Sequence, residues 1–297
     1  MSYLATLQAI LNHPLNANNK QEALMRYLRW QIGCRMLPGT ATVVPFINQT
    51  CLAVSPGMTG ATMHIYTGLS DFPDCGFLMH LLRPGDLFAD VGANVGVYSI
   101  LAAGVAGARA VSMEPIPSTY QKMLVNVAIN QLQSLVTTHN IGLGKATEKL
   151  RFTSDRDTAN RIITDAEYQG PTIDVPVRRL DDVLAGEAPI LIKLDVEGWE
   201  SVVLTGAEAV LQNPSLLGWI VEMNGDSAEF DANERATHDC MLRHGFAPYA
   251  YDPFTRKLKA LPSKHVGYTN TIYLRNMDEV QRRIAAGPAF RVREQTI

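Results

Sequence analysis

The chain of 297 residues predicts an α/β fold built on a doubly wound, mostly parallel, seven-stranded sheet. It adds an N-terminal helical and short-strand extension and a β insertion. Three observations carry this reading. From about residue 81 onward, short apolar runs alternate with helix-like segments, as in a parallel sheet covered by helices on both faces. The runs end in polar residues, Asp90, Glu114, His139-Asn140, Asp195 and Glu222, and the carboxyl ends of such strands are where ligands bind. A glycine-rich turn, "DVGANVG" at 90–96, joins the first run to the first helix.

In chain order, a helical pattern from Tyr3 to Leu11 is broken by "HPLNANN". The next, "KQEALMRYLRWQIGCRM", places Leu24, Leu28, Ile32 and Met36 on one face. That face is expected to pack on the main domain, with Arg26, Arg29 and Arg35 on a solvated side. Three arginines beside a glutamate make too weak a basic face for a membrane-surface helix. Pro38-Gly39 ends the helix, and "TATVVPFINQTCLAVS" and "TMHIYTG" read as short strands. Residues 1–80 thus form an extension or cap without a linker that would make it an independent domain.

Within 81–276 the core strands are expected at 87–91, 110–114, 135–140, 190–195, 219–222, 247–251 and 271–274. Helices are expected at 96–105, 117–130, 199–211 and 230–244. Between the third and fourth core strands, "EKLRFTS" and "TIDVPVRRLDDVL" have the alternation of antiparallel strands, so a β insertion is placed at about 146–177. Residues 277–297 supply a C-terminal helix and tail.

Apolar residues make up 46% of the chain and charged residues 19%, a globular balance. A net charge of −3 argues against a nucleic-acid partner, which demands a basic face. The four cysteines form no CxxC pair, so neither a zinc site nor a redox dithiol is signalled, and reduced thiols in a cytoplasmic protein are expected. No apolar run approaches the roughly 20 residues of a membrane span, and the N-terminus lacks the marks of a signal peptide. The sequence leaves the oligomeric state open.

The turn carries the chemistry. Gly92 and Gly96 permit a tight bend and a close backbone approach to a ligand. The helix after them offers free N–H groups, which suit a pyrophosphate or a carboxylate. The pattern is Asp-x-Gly-x-Asn-x-Gly rather than G-x-G-x-x-G. Asp90 would repel a pyrophosphate beside it and welcome an ammonium group, which favours S-adenosylmethionine. Glu114, ending the second strand, is placed to accept hydrogen bonds from ribose hydroxyls. In "IKLDVEGWESVVLTGAEAVL", Asp195 ends a strand facing the same crevice, Glu197 lies in the following turn, and Glu200 caps the next helix. No His/Asp/Glu grouping has metal-ligand spacing, so no metal is expected.

"DVGANVGVYSI", "EPIPSTYQKMLVNVAIN", "IKLDVEGWESVVLTGA" and "WIVEMN" resemble the FkbM family of S-adenosylmethionine-dependent methyltransferases over about residues 76–225. The resemblance implies the class I Rossmann-like fold and methyl transfer to hydroxyl oxygens of sugars, glycans, polyketides and related natural products. It also implies that Asp90, Gly92, Asn94 and Gly96 line the methionine part of the cofactor and that Glu114 holds the ribose. By the same resemblance Ile116 and Asn140 lie at the adenine, and Asp195 faces the methyl-transfer region. Many relatives carry a histidine two places after the fifth-strand Glu; this chain has Asn224 there.

A hydroxyl acceptor gains from a base that removes its proton. The candidates are Asp195, Glu222, His139 and His265. Two other classes compete: a nicotinamide-dependent oxidoreductase, which would carry G-x-G-x-x-G, and a non-catalytic cofactor-binding partner protein.

Overall fold

The computed structural model describes residues 3–153, 162–163, 168–223, 227 and 229–297. The extension opens with two helices, α1 (Tyr3–Asn12) and α2 (Lys20–Met36), then a hairpin of β1 (Thr42–Pro45) and β2 (Cys51–Val54), then α3 (Thr59–Thr67) and α4 (Phe72–Leu81). The main sheet follows: β3 (Leu87–Val91), α5 (Val97–Ile100), β4 (Arg109–Met113), α6 (Pro117–Ile129) and β5 (Val136–His139). A small sheet of β6 (Gly142–Leu143), β7 (Glu148–Thr153) and β8 (Thr172–Arg178) interrupts it. The chain then runs through α7 (Leu180–Leu184), β9 (Leu191–Leu194), α8 (Glu200–Thr205), α9 (Glu208–Gln212) and β10 (Gly218–Glu222). It closes with α10 (Ala232–Arg243), β11 (Ala247–Asp252), β12 (Lys257–Ala260), β13 (Asn270–Leu274), α11 (Met277–Ala285) and a final hairpin, β14 (Arg291–Val292) with β15 (Gln295–Thr296).

The main sheet has the order β12-β11-β13-β10-β9-β3-β4-β5. The strands from β10 to β5 are parallel, and β13, β11 and β12 each pair antiparallel with their neighbours. Alternation along β3 divides the core: Phe88 enters one apolar layer, while Leu87, Ala89 and Val91 enter the other. This is the expected doubly wound, mostly parallel sheet, with eight strands rather than seven. The added strand is β12, whose "KLKA" pairs with β11 as an edge hairpin. The antiparallel pairing of β7 and β8 in the insertion also agrees with its alternation; residues 154–161 and 164–167 of that insertion lie outside the described residues.

Three features of the extension depart from expectation. "TMHIYTG" is helical, not a strand. Its β-branched and aromatic residues are accommodated because Ala61 and Tyr66 are buried, Tyr66 meets Tyr27 of α2 edge-on, and the hydroxyls of Thr62 and Thr67 donate to the carbonyls four residues back. Helix α4 was not legible because all ten of its residues are buried, which erases helical periodicity. In α2 the face that packs is Ala23 and Tyr27, whereas Leu24, Leu28, Ile32 and Met36 are exposed. The extension is fastened to α6 by two side chains: Asn126 Oδ1 accepts from the Ala53 N–H, and Asn130 exchanges bonds with the backbone of Cys51.

No helix among the described residues is long and apolar enough to cross a membrane. All four cysteines are free thiols.

Candidate active site

A cavity of about 470 Å³ opens at the carboxyl ends of β3, β4, β9 and β10. Asp90, Gly92, Asn94, Glu114, Ile116, Asp195 and Glu222 line it. The extension closes one side with Met63, His64, Ser70 and Asp71, and the insertion closes another with Phe152 and Ile162.

Strand register builds the floor. Asp90 pairs with Ser112 on one neighbouring strand and with Lys193 on the other, so three polar side chains share one level of an otherwise apolar sheet. Ser99 Oγ donates to Asp90 Oδ2 at 2.6 Å, and Ser99 and Ser112 are 2.7 Å apart. With the Ser99 proton committed to Asp90, Ser112 is the donor in that second bond. Asp90 Oδ1 has no partner although the residue is 1% exposed. A buried acceptor without a donor is costly, and this one lines the cavity.

The turn above it needs its glycines. Gly92, Asn94 and Gly96 all have left-handed φ angles, 76, 50 and 84°. A Cβ on Gly92 would stand 1.8 Å from the Asp195 carbonyl oxygen, so the turn and the end of β9 touch through backbone alone. Glu114 braces the turn from β4: its two carboxylate oxygens accept from the N–H groups of Asn94 and Ile116, each at 2.9 Å. Burial pushes Glu114 up to about 7. Each of its oxygens keeps a further lone pair for a ligand hydroxyl.

At the other end three carboxylates converge. Asp195, Glu197 and Glu222 place donor atoms within 4.8 Å of one another. No grouping was legible in sequence because Glu222 comes from a neighbouring strand; the fold assembles one that could hold a cation. Lys193 Nζ donates to Asp195 Oδ2 at 2.5 Å and sits over the Tyr98 ring. Burial opposes the charge on Lys193, but Asp195 and Asp90 outweigh it and hold the lysine above its ordinary range. Burial, then the charges of Asp195, Glu197 and Glu200, push Glu222 up to about 10. That shift favours the protonated carboxyl of Glu222 over the carboxylate while no cation is bound.

The other expected residues are placed as follows. Gly96 precedes α5 and lies behind the cavity wall, where a Cβ would meet Met123. Asn140 does not line the cavity but donates to the carbonyls of Glu114 and Pro115, holding that loop. His139 and His265 do not line it either; His265 stacks on Tyr268. Glu200 accepts from the N–H groups of Val196 and Gly198, fixing the turn before α8. Asn224 lies outside the described residues.

Several cavity residues were missed by sequence reasoning. Lys193 was a visible signal, a lysine inside an apolar run. Asp71 occupies the N-cap position of α4, yet its side chain makes no capping bond there; it accepts instead from Tyr98 Oη and Ser70 Oγ. Asn270 lies beside Glu222 in register and donates to the buried Asp74. Trp199 lines the cavity with an unpartnered indole N–H.

This constellation, an acid and a left-handed glycine turn at the end of the first parallel strand with a second acid one strand away, is that of the class I methyltransferase fold, a Rossmann-like architecture. The chain belongs to the FkbM methyltransferase family: the profile described as "Methyltransferase FkbM domain" matches residues 90–248, more than half of its length. The ribosomal protein L11 methyltransferase of Syntrophomonas wolfei is 28% identical over 138 residues, which are 45% of this chain and 43% of that protein. The chain thus spans less than half the length of that curated relative. Among solved structures, an rRNA methylase from Streptococcus thermophilus superposes with a TM-score of 0.39 at 12% identity, covering 67% of this chain and 91% of that one. The precorrin-6Y C5,15-methyltransferase of Geobacter metallireducens gives 0.35 at 12% identity, covering 66% and 82%.

Proposed function

We propose that this chain transfers a methyl group from S-adenosylmethionine to a hydroxyl oxygen of a small-molecule or glycan acceptor, of sugar or natural-product type. The observation that carries the donor is Asp90 Oδ1, a buried acceptor with no partner. An ammonium group satisfies it and a diphosphate does not. Asp90 and the Gly92–Asn94 turn would hold the amino-acid end of the cofactor, Glu114 the ribose and Ile116 the adenine. When bound, the cofactor supplies a methyl carbon already activated by a positive sulfur.

The chain's own residues do the remainder. The cavity walls from the extension and the insertion exclude water and align the acceptor, which is most of what an in-line displacement requires. Asp195, fixed by Lys193 at the mouth of β9, would take the proton that the acceptor hydroxyl releases as its oxygen is methylated. Asp71, oriented by Tyr98 and Ser70, faces the cavity from the extension and is a further carboxylate within it. Acceptor choice belongs to the extension and the insertion, the parts that vary the walls without touching the glycine turn.

The test is incubation with methyl-labelled S-adenosylmethionine and a panel of glycosides, polyketides and cell extracts, read by mass analysis. A gain of one methyl on oxygen supports the reading. Methylation of nitrogen or carbon alone overturns the oxygen assignment.

A further inference from the structure

Where the extension walls the cavity, one carboxylate is held in an unusual way. An aspartate at a helix N-cap ordinarily accepts from the first N–H groups of its own helix. Asp71, at the N-cap of α4, makes no such bond. Tyr98 Oη donates to its Oδ2 at 3.1 Å, and Ser70 Oγ donates to its Oδ1 at 3.3 Å. Both holders are fixed in turn. Tyr98 is 6% exposed, and the Ser70 N–H donates to Nδ1 of the buried His64 at 3.2 Å. Each oxygen of Asp71 thus takes one donor from the chain and keeps lone-pair capacity on the side of the cavity it lines.

The neighbouring donors are already engaged. The hydroxyl protons of Tyr98 and Ser70 go to Asp71, and the Asn270 amide donates to the buried Asp74. Lys193 is the one lysine or arginine that lines the cavity among the described residues, and it donates to Asp195. A ligand at this end therefore meets acceptors and has to bring donors of its own.

We propose that Asp71 is a specificity-determining residue of the acceptor site, taking a hydrogen bond from a second hydroxyl or an ammonium group of the molecule whose hydroxyl is methylated. The inference rests on the oxygen transfer proposed above and narrows its acceptor to a polyol or an amino alcohol. A run of contacts joins the two acids involved: Asp195 to Lys193, Lys193 to the Tyr98 ring, and the Tyr98 hydroxyl to Asp71. Asp195 is assigned the proton of the reacting hydroxyl, and Asp71 stands further along the run for the second donor. A phosphate or carboxylate in that place would face Asp71 with no proton between them, a repulsive contact that selects against such acceptors. Asp71 comes from the extension, whereas the glycine turn and Glu114 come from the sheet, so acceptor and cofactor recognition are separable by substitution.

The test compares matched acceptors on the full chain with methyl-labelled S-adenosylmethionine. The set is methyl glycosides, their amino-sugar and deoxy counterparts, and their phosphate and uronic acid counterparts. Glycosides or amino sugars are expected to gain the methyl, and the relative turnover of these two arms tells which donor Asp71 takes. The deoxy and anionic counterparts are expected to fall about tenfold or more in kcat/KM. In Asp71→Asn the acceptor KM is expected to rise about tenfold, the deoxy penalty to shrink, and S-adenosylhomocysteine affinity to stay unchanged. The wild-type comparison stands even if that variant does not fold. Equal turnover of anionic acceptors overturns the proposal, as does a deoxy penalty that survives Asp71→Asn. Weakened S-adenosylhomocysteine binding by Asp71→Asn overturns it in favour of a contact with the cofactor. A wild-type chain that binds S-adenosylhomocysteine and methylates no glycoside or amino sugar overturns the acceptor class alone; one that binds no S-adenosyl ligand overturns the proposed function and this inference with it.

Discussion

Asp90 concentrates the chemistry of the site in one side chain. One oxygen is fixed by Ser99, and the other waits, buried, for a donor. Charge-assisted hydrogen bonds contribute about 1.5–3 kcal/mol, so Asp90→Asn is expected to weaken S-adenosylmethionine binding about ten- to a hundredfold, measured by calorimetry. Gly92→Ala brings a methyl onto the Asp195 carbonyl and a strained φ. It is expected to cost at least about 1–3 kcal/mol, read as a fall in Tm. Glu222 gives a pH signature. Its carboxyl is held near 10 in the folded chain against an ordinary 4.5, so the native state binds the extra proton between those values. Stability from this group is complete below about pH 4.5 and is lost as pH rises toward 10. Glu222→Gln keeps a neutral side chain there, so it is expected to raise Tm at pH 8 and to leave it nearly unchanged near pH 4.5. An equal shift at both pH values would contradict the proton assignment. The acids at the strand ends were legible because polar residues closing apolar runs mark the binding edge of such a sheet. Lys193 was visible as a lysine inside an apolar run, but its pairing across strands has no sequence spacing, and the inward turn of the Asp71 side chain at an N-cap position leaves no mark in the sequence.

Elements were legible in proportion to how local their causes are. Strand β3 was placed to the residue, since an apolar run bounded by a Pro-Gly-Asp turn and the glycine turn leaves no other reading. Helix α10 carries its own start signal, a capping box in which Asp231 accepts from the Glu234 N–H and Glu234 answers to the Asp231 N–H. Asp231→Ala is expected to cost about 1 kcal/mol without altering cofactor affinity, since α10 does not line the cavity. A thermal melt with and without cofactor checks both halves. The segment from 199 to 211 reads as one helix but is two, α8 and α9, split at Gly206, where a Cβ would meet the Gly144 carbonyl at 2.2 Å. Helices α3 and α4 escaped because tertiary burial overrode propensity in one and erased periodicity in the other. Helix α2 was placed correctly along the chain but with its faces reversed: a repeat of four shows a stripe and does not say which stripe is inward.

For the whole molecule, the central sheet supplies a rim of acids and glycines, and the extension and the insertion supply two walls of the cavity. The extension is a wall of the cavity and is bonded to α6 through Asn126 and Asn130. At that rim, the glycine turn after β3 is proposed to hold a nucleoside bearing an ammonium end. Isothermal titration of the intact chain with S-adenosylmethionine, S-adenosylhomocysteine and NADH tests it most directly. One-to-one binding of both S-adenosyl ligands, weakened by Asp90→Asn, and no binding of NADH are expected; binding of NADH, or of neither S-adenosyl ligand, would show that the turn does not hold such a nucleoside.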